Sequence, residues 1–245
     1  MIDTADHDGI AVLTLRHGPV NALDLELLTA LPETLAEAAD ARGIVLTGSG
    51  RTFSAGVDLK RIVDGGPSYT ETFLPALHRA TLALYGHPKP VVAALNGHAL
   101  AGGCVLAAAC DQRLMCGGTI GLTELAVGVP FPTACLEVMR HAVGTALDTM
   151  VLGAGRLTPE EALPIGLVHE IVEPDRLLAA ALRRTEELCS APPEVYALSK
   201  RQLHRTALQR IAAAAPLEDP EVARIWSAGP TARILRAYLS SLRRS

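Results

Sequence analysis

The sequence predicts an α/β protein whose C-terminal section is helical. Up to about residue 175, short apolar runs typical of buried strands alternate with stretches of helical periodicity, an order that favours a sheet covered by helices. From residue 176 onward the periodicity is helical alone. The aromatic content of only 3% indicates a core built mainly from Ala, Leu and Val.

The first half of the chain contains three apolar runs that predict buried strands, at Ile10–Leu15, 43–47 and Val91–Leu95. Asp24 is a typical N-cap for a helix that we expect to run to about residue 39. Residues 48–60 have turn composition and then re-enter a helix. We predict a mobile loop at 62–68, because Gly-Gly-Pro interrupts two helical stretches there.

The second half is predicted to be mostly helical. Helices are expected at 104–110, 131–142 and 145–152, and a short strand at 168–172. Thr158, Pro159 and Glu161 form the pattern of a capping box with proline at the first helical position. The helices after residue 176 are expected to break at Pro192-Pro193, at Pro216 and at Gly229-Pro230.

The composition excludes several classes of function. The 245 residues are 49% hydrophobic and 20% charged, which is ordinary for a globular protein able to bury a core. A net charge of −4 gives no general attraction to nucleic acid or to anionic membranes. No apolar run reaches the ~18 residues of a membrane span, and the acidic start does not resemble a signal peptide. Five cysteines without a CxxC pair predict reduced thiols in a cytoplasmic protein.

Two glycine-containing turns and one carboxylate remain as candidates for a site. The turns are SAGVDLK at 54–60 and ALAGG at 99–103, and each follows a predicted strand and leads into a helix. If the strands are neighbours, two backbone N–H groups could converge on one oxygen atom as an oxyanion hole. Glu124 lies in an apolar, glycine-rich neighbourhood. From the residues alone, the glycines could instead form tight turns only, and Glu124 could be a first-turn helix residue. No metal-spaced Cys/His cluster is present, and we expect no metal.

These segments resemble the crotonase superfamily, the enoyl-CoA hydratase/isomerase proteins. The resemblance is carried by TFSAGVDLK (52–60), by PKPVVAALNGHALAGGCVLAAACDQRL (88–114) and by IGLTELAVGVPFP (120–132). It also includes VNAL at 20–23 and the segment 155–168, so that it covers roughly residues 10–175. It implies a spiral of ββα units over residues 1–190 and a helical section over residues 191–245 that makes trimer contacts, in a homotrimer or a dimer of trimers.

The resemblance also implies where a CoA thioester is held, with CoA as part of the substrate and no tightly bound cofactor. The thioester oxygen is expected to accept hydrogen bonds from the N–H groups of Val57 and Gly102. The residues expected around coenzyme A are Asn21, Ala22, Leu23, Ala55, Asp58, Leu59 and Lys60, with Lys60 reaching a phosphate. Lys200 and the terminal arginines are weaker candidates for the same task, in part from an adjacent subunit.

One departure from the family pattern concerns the reaction. Hydratases of this family carry two glutamates, and Val105 stands where the first is expected, whereas Glu124 matches the second. A single glutamate is similar to the Δ3,Δ2-enoyl-CoA isomerases, in which one carboxylate can take a proton from C2 and deliver one to C4. Glu124 is expected to lie among Val105, Leu125, Val127 and Phe131, where desolvation raises its pKa.

Two alternatives stay open at this point. The first is hydratase activity that uses Glu124 alone or together with another carboxylate, such as Glu71 or Glu137. The second is a non-catalytic acyl-CoA binding protein, which the missing glutamate at position 105 motivates.

Overall fold

The computed structural model describes residues 1–242, in which helices pack on two β-sheets. The strands are β1 (Ile2–His7), β2 (Ile10–Leu15), β3 (Gly43–Gly48), β4 (Thr52–Ser54), β5 (Val91–Leu95), β6 (His98–Leu100), β7 (Gln112–Met115), β8 (Ile120–Gly121), β9 (Arg156–Leu157) and β10 (Glu170–Ile171). The helices are α1 (Leu25–Glu37), α2 (Leu59–Tyr85), α3 (Gly102–Ala108), α4 (Thr133–Val143), α5 (Ala146–Gly153), α6 (Pro159–Ala162), α7 (Leu177–Leu188), α8 (Pro193–Trp226) and α9 (Gly229–Leu242).

The order of the strands shows a spiral of ββα units. The first sheet has the order β1-β2-β3-β5-β7-β10, and the second has the order β4-β6-β8-β9. Successive turns of the chain place β3, β5 and β7 side by side in the first sheet and β4, β6 and β8 side by side in the second. These neighbours are parallel, so the segments that follow β4, β6 and β8 emerge at one edge of the second sheet. The α/β class that the sequence pattern predicted and the spiral that the family resemblance implied are therefore confirmed.

The three apolar runs form the buried strands β2, β3 and β5, as predicted. Asp24 caps α1 through a bond that its Oδ1 accepts from the N–H of Leu27, at 2.9 Å. The capping box of Thr158 and Glu161 is present at α6. The sequence did not reveal β1, whose exposed acidic residues lack an apolar face, or the strands of the second sheet, which are only two or three residues long.

The mobile loop predicted at 62–68 is wrong, because this segment lies within α2. Gly66 interrupts the helix with φ +64° and ψ −158°, a conformation that glycine adopts without steric cost. Pro67 then opens the next helical segment, where its missing N–H is no loss. The hydroxyl of Thr70 donates to the Gly66 carbonyl at 3.1 Å and helps hold the kink.

The break predicted at Pro216 is also wrong, since α8 continues through Pro216 and Pro220 to Trp226. Each proline removes one backbone donor from the helix, but tertiary contacts fix the segment. The Asp219 carboxylate accepts hydrogen bonds from the N–H of Thr133 at 2.9 Å and from its hydroxyl at 2.7 Å. These contacts tie the second half of α8 to the start of α4.

A buried ion pair ties the first half of α8 to the sheet. The ammonium of Lys200 lies 2.8 Å from a carboxylate oxygen of Asp111, and the side chains are only 6% and 12% exposed. Asp111 also accepts the N–H of Val91 at 2.8 Å. The expectation that Lys200 contacts a CoA phosphate is therefore wrong, because its charge is already neutralised in the interior. Among the terminal arginines, Arg243 and Arg244 lie outside the described residues.

We expect Lys200→Ala to lower the free energy of unfolding by about 3–5 kcal/mol, because it leaves the Asp111 carboxylate buried without its ion-pair partner. Urea denaturation of the variant measures this loss. Lys60→Ala is the matched control, since the Lys60–Asp64 pair is exposed and contributes little to stability. Equal stability of the Lys200→Ala variant and the parent chain would contradict the assigned role of the ion pair.

Candidate active site

The turns after β4 and β6 meet at the edge of the second sheet. Leu23 and Val57 form a parallel bridge, in which the Leu23 N–H donates to the Gly56 carbonyl at 2.8 Å and the Leu23 carbonyl accepts the Asp58 N–H at 2.9 Å. Since consecutive backbone groups of an extended segment point to alternating sides, the Val57 N–H points away from Leu23. A Cβ atom added at Gly102 would lie 3.9 Å from the Val57 nitrogen. The structure therefore brings Val57 and Gly102 together, as predicted.

Gly102 enters this pair through an unusual turn. Ala101, which precedes α3, has φ +50° and ψ −125°, a region that residues other than glycine rarely occupy. Its N–H donates to the Gly121 carbonyl at 2.8 Å, which anchors the turn to β8. As the first residue of α3, Gly102 has an N–H with no acceptor inside the helix.

Gly56 allows the two turns to approach each other. It has φ +83°, and a Cβ atom at this position would lie 2.6 Å from the Leu100 carbonyl oxygen and 3.1 Å from the Gly102 nitrogen. A side chain would therefore force the turns apart. The close approach of the two backbones depends on glycine at this position.

Glu124 follows β8, the third parallel strand of the second sheet, and is only 6% exposed. Burial raises the pKa of Glu124 to about 7, and the backbone amides of Glu124 and Thr123 offset only part of this effect. Its Oε2 atom is buried and has no hydrogen-bond partner within residues 1–242. A buried carboxylate with one free oxygen and a pKa near neutrality can accept and return a proton.

A cavity of about 330 Å³ lies beside these groups, a size typical of small-molecule sites. Gly102, which follows Ala101 in sequence, is buried and is not among the lining residues. One wall comes from the first turn and includes Val57. Leu100 and Ala101 of the second turn and Glu124 also line the cavity. Glu124 thus faces the same space as the two backbone turns.

The apolar residues predicted around Glu124 take different positions relative to the cavity. Val127 lines the cavity as expected, together with Val129. Leu125 is 40% exposed, whereas Val105 and Phe131 are buried in the core outside the cavity lining. The desolvation that the sequence predicted is present.

Five of the seven residues expected around coenzyme A line this cavity, namely Ala22, Ala55, Asp58, Leu59 and Lys60. The Asp58 carboxylate caps α2 by accepting the N–H groups of Lys60 at 3.0 Å and Arg61 at 3.1 Å. The Lys60 ammonium is exposed and lies 2.5 Å from Asp64. A lysine in such an exposed pair can turn toward an anionic ligand at little cost.

Asn21 and Leu23 lie behind the cavity instead of lining it. The Asn21 side chain is buried, donates to the carbonyls of Thr52 and Phe53 at 2.9 and 3.1 Å, and accepts the His17 N–H at 2.9 Å. Leu23 is fully buried and contributes the backbone bridge to Val57. Both residues thus support the turn, and their contact with a ligand would be indirect.

The other carboxylates considered at the sequence level lie elsewhere. Glu71 lines a separate groove between α2 and α8. Glu137 is paired with Arg140 at 3.0 Å and with Arg210 at 3.6 Å. Neither lines the cavity that contains Glu124.

The sequence did not reveal the cavity-lining residues that come from α8, α9 and β9. Trp226 at the end of α8, and Tyr238 and Leu239 of α9, line the cavity, and so does Arg156 of β9. They are distant in sequence from the two turns, and no local motif marks them. The only available signal was Trp226, the single tryptophan of the chain.

Comparison with known proteins agrees with this geometry. The family profile for enoyl-CoA hydratase/isomerase matches residues 5–222. The mitochondrial enoyl-CoA delta isomerase 1 of Mus musculus is 32% identical over 213 residues, which cover 84% of this chain and 74% of the mouse protein. A putative enoyl-CoA hydratase of Thermus thermophilus is 37% identical over 195 residues, which cover 77% of this chain and 76% of that protein.

The solved structures agree as well. The crystal structure of human mitochondrial delta3-delta2-enoyl-CoA isomerase superposes with a TM-score of 0.94 and 26% sequence identity, and the alignment covers 99% of this chain and 98% of the human chain. The spiral, the paired backbone turns and the matched profile lead to one conclusion: the chain belongs to the enoyl-CoA hydratase/isomerase family.

Proposed function

We propose that this chain is an isomerase that moves the double bond of a 3-enoyl-CoA to the 2-position. The family acts on acyl-CoA thioesters. The observation that carries the proposal is the number of carboxylates available at the cavity. Of the described residues that line it, only Glu124 and Asp58 are acidic, and Asp58 is occupied in capping α2. One available carboxylate favours a proton shuttle over the addition of water, which is more naturally the work of two groups.

The proposed mechanism uses the backbone pair and Glu124 in sequence. The thioester oxygen accepts hydrogen bonds from the N–H groups of Val57 and Gly102. Glu124 removes a proton from C2, and the negative charge that develops on the thioester oxygen is stabilised by the two amides. Glu124 then delivers the proton to C4 on the same face, which leaves the double bond between C2 and C3. Neither step requires a tightly bound cofactor.

The wall formed by Ala22, Ala55, Asp58, Leu59 and Lys60 is proposed to hold the coenzyme A part of the substrate, with Lys60 near a phosphate. Asn21 and Leu23 would act indirectly, by fixing the turn that carries Val57. Support for this arrangement comes from the position of the wall beside the backbone pair and from the exposed, adjustable pair of Lys60 and Asp64.

The rate of isomerisation should depend on pH through Glu124. The reaction begins with the ionised carboxylate, and burial raises the pKa of Glu124 to about 7. We therefore expect kcat/KM to rise about tenfold per pH unit below pH 7 and to level off above it. A pH series from 5 to 9 with a 3-enoyl-CoA measures this profile. A profile that is already level at pH 5 would exclude a base with a raised pKa.

A panel of 2-enoyl-CoA and 3-enoyl-CoA thioesters with product analysis tests the proposal. We expect 3-enoyl substrates to give conjugated 2-enoyl products, and 2-enoyl substrates to gain water far more slowly. Faster hydration of the 2-enoyl series would identify a hydratase. Tight binding of both series without conversion would identify an acyl-CoA binding protein.

We further propose a homotrimer or a dimer of trimers, with the helical section over 191–245 in the contacts. Large apolar side chains on the surface support an assembly, among them Leu152, Leu203 and Leu217, which are 75%, 69% and 79% exposed.

The cysteines of the chain are free, as expected in a reducing compartment such as the cytoplasm. Within residues 1–242, no helix has the length and apolar character needed to cross a membrane.

A further inference from the structure

A second cavity shares one lining residue with the cavity that contains Glu124. This cavity has a volume of about 510 Å³ and is bordered by Ile62 and Pro67 of α2 and by Ala232 and Leu235 of α9. Trp226 lines both this cavity and the one that contains Glu124. Trp226 is therefore a residue that the linings of the two cavities share.

The same two helices border both cavities. Leu59 and Lys60 of α2 and Tyr238 and Leu239 of α9 line the first cavity, and residues farther along α2 and earlier in α9 line the second. The cavities thus follow each other along the contact between α2 and α9. A chain that extends from the backbone pair in this direction would meet Trp226 before it reached the second space.

The indole is held firmly in place. Trp226 is only 3% exposed, and its Nε1–H donates to the Pro130 carbonyl at 2.8 Å. Its ring also contacts Phe73, with ring centroids 6.5 Å apart. A buried ring with a satisfied donor and a packed face is a fixed wall, because moving it would break the hydrogen bond and open a void.

We propose that the acyl chain extends through the cavity that contains Glu124 toward the second cavity, and that the Trp226 indole separates the two spaces and so sets the upper limit of acyl chain length. This inference rests on the proposed function for the location of the acyl chain. It predicts that a smaller side chain at position 226 joins the two spaces. Longer acyl chains should then be accepted, and binding of short chains should hardly change.

Binding of saturated acyl-CoA thioesters of increasing length tests this without any catalytic step. In the parent chain, affinity should rise about fourfold per methylene until the acyl chain meets the indole, and should then level off. In Trp226→Ala the affinity should continue to rise over several further methylenes. Trp226→Leu is made beside it, because it leaves a smaller void and should extend the rise by fewer methylenes.

A second substitution gives the matched control. Of these two cavities, Ala232 lines only the second, so Ala232→Phe should narrow that space. In the Trp226→Ala background it should shorten the extended chain-length limit, and alone it should leave the limit of the parent chain unchanged. An unchanged limit in Trp226→Ala and Trp226→Leu would overturn the proposal, and so would the loss of short-chain binding in both variants.

The single tryptophan provides an independent readout. Its fluorescence in the parent chain should be unaffected by CoA and by short acyl-CoA thioesters, and should change once the acyl chain reaches the indole. Emission that stays constant at every chain length would overturn the proposal. If acyl-CoA thioesters bind as described but no enoyl-CoA is converted, the proposed isomerase function fails while the inference about Trp226 stands.

Discussion

Glu124→Gln is expected to lower the turnover of a 3-enoyl-CoA by at least ~10² while leaving the affinity for CoA thioesters nearly unchanged. The amide has almost the same shape as the carboxylate, but it cannot accept a proton from C2. Rates measured from the rise of the conjugated thioester absorbance, together with the Kd of a saturated acyl-CoA, separate these two effects. Turnover that survives the substitution would remove Glu124 from the mechanism.

Glu71→Gln is the control for this substitution. Glu71 lies in a separate groove, so its loss should leave isomerase turnover unchanged.

The stability of Glu124→Gln provides a further check. The folded state raises the pKa of Glu124 from 4.5 to about 7, so its contribution to stability is fully present below pH 4.5 and is lost as the pH rises toward 7. At pH 8 this contribution is already absent from the parent chain, so Glu124→Gln has nothing of it to lose. The variant should therefore remain folded at pH 8 while its turnover is slow.

Gly56→Ala should reduce kcat by about 10²–10³, the loss expected when one oxyanion donor is displaced. The added Cβ atom would lie 2.6 Å from the Leu100 carbonyl oxygen and 3.1 Å from the Gly102 nitrogen. The two turns must then separate, and their N–H groups can no longer bind the same oxygen. Steady-state kinetics with a 3-enoyl-CoA measures the change.

Gly50→Ala is the matched control for Gly56→Ala. Gly50 also has a positive φ, +69°, but a Cβ atom there has no neighbour within 4 Å. Both variants carry the same kind of backbone strain, and only Gly56→Ala disturbs the contact between the turns. Comparable kcat values in the two variants would contradict the role of the paired backbone amides.

The sequence predicted the site best where chemistry and backbone geometry depend on residues close together in the chain. Glycines that permit close approach and a lone glutamate in an apolar segment are local signals, and they marked the two turns and Glu124 as candidates. The assignment of the two donors to Val57 and Gly102 came from the family resemblance. The long apolar strands were recognisable for the same reason. The two- and three-residue strands of the second sheet could not be recognised, because they are too short to show a periodicity.

Tertiary contacts decided the features that the sequence did not predict. The segment 62–68 has loop composition, yet Gly66 absorbs the kink and allows α2 to continue. Lys200 was available as a phosphate ligand by composition alone, but burial beside Asp111 assigns it to the interior. Trp226 reaches the cavity only because α8 folds back on the spiral, which no local pattern encodes.

The transfer of hydrogen within the substrate tests the central claim most directly. A 3-enoyl-CoA deuterated at C2 is converted in ordinary water, and the deuterium at C4 of the 2-enoyl product is measured over the first turnovers. Since Glu124 is only 6% exposed, its acquired deuterium should exchange incompletely with solvent, and part of the label should appear at C4. A product that carries only solvent hydrogen at C4 from the first turnover would contradict a single carboxylate that moves the proton from C2 to C4.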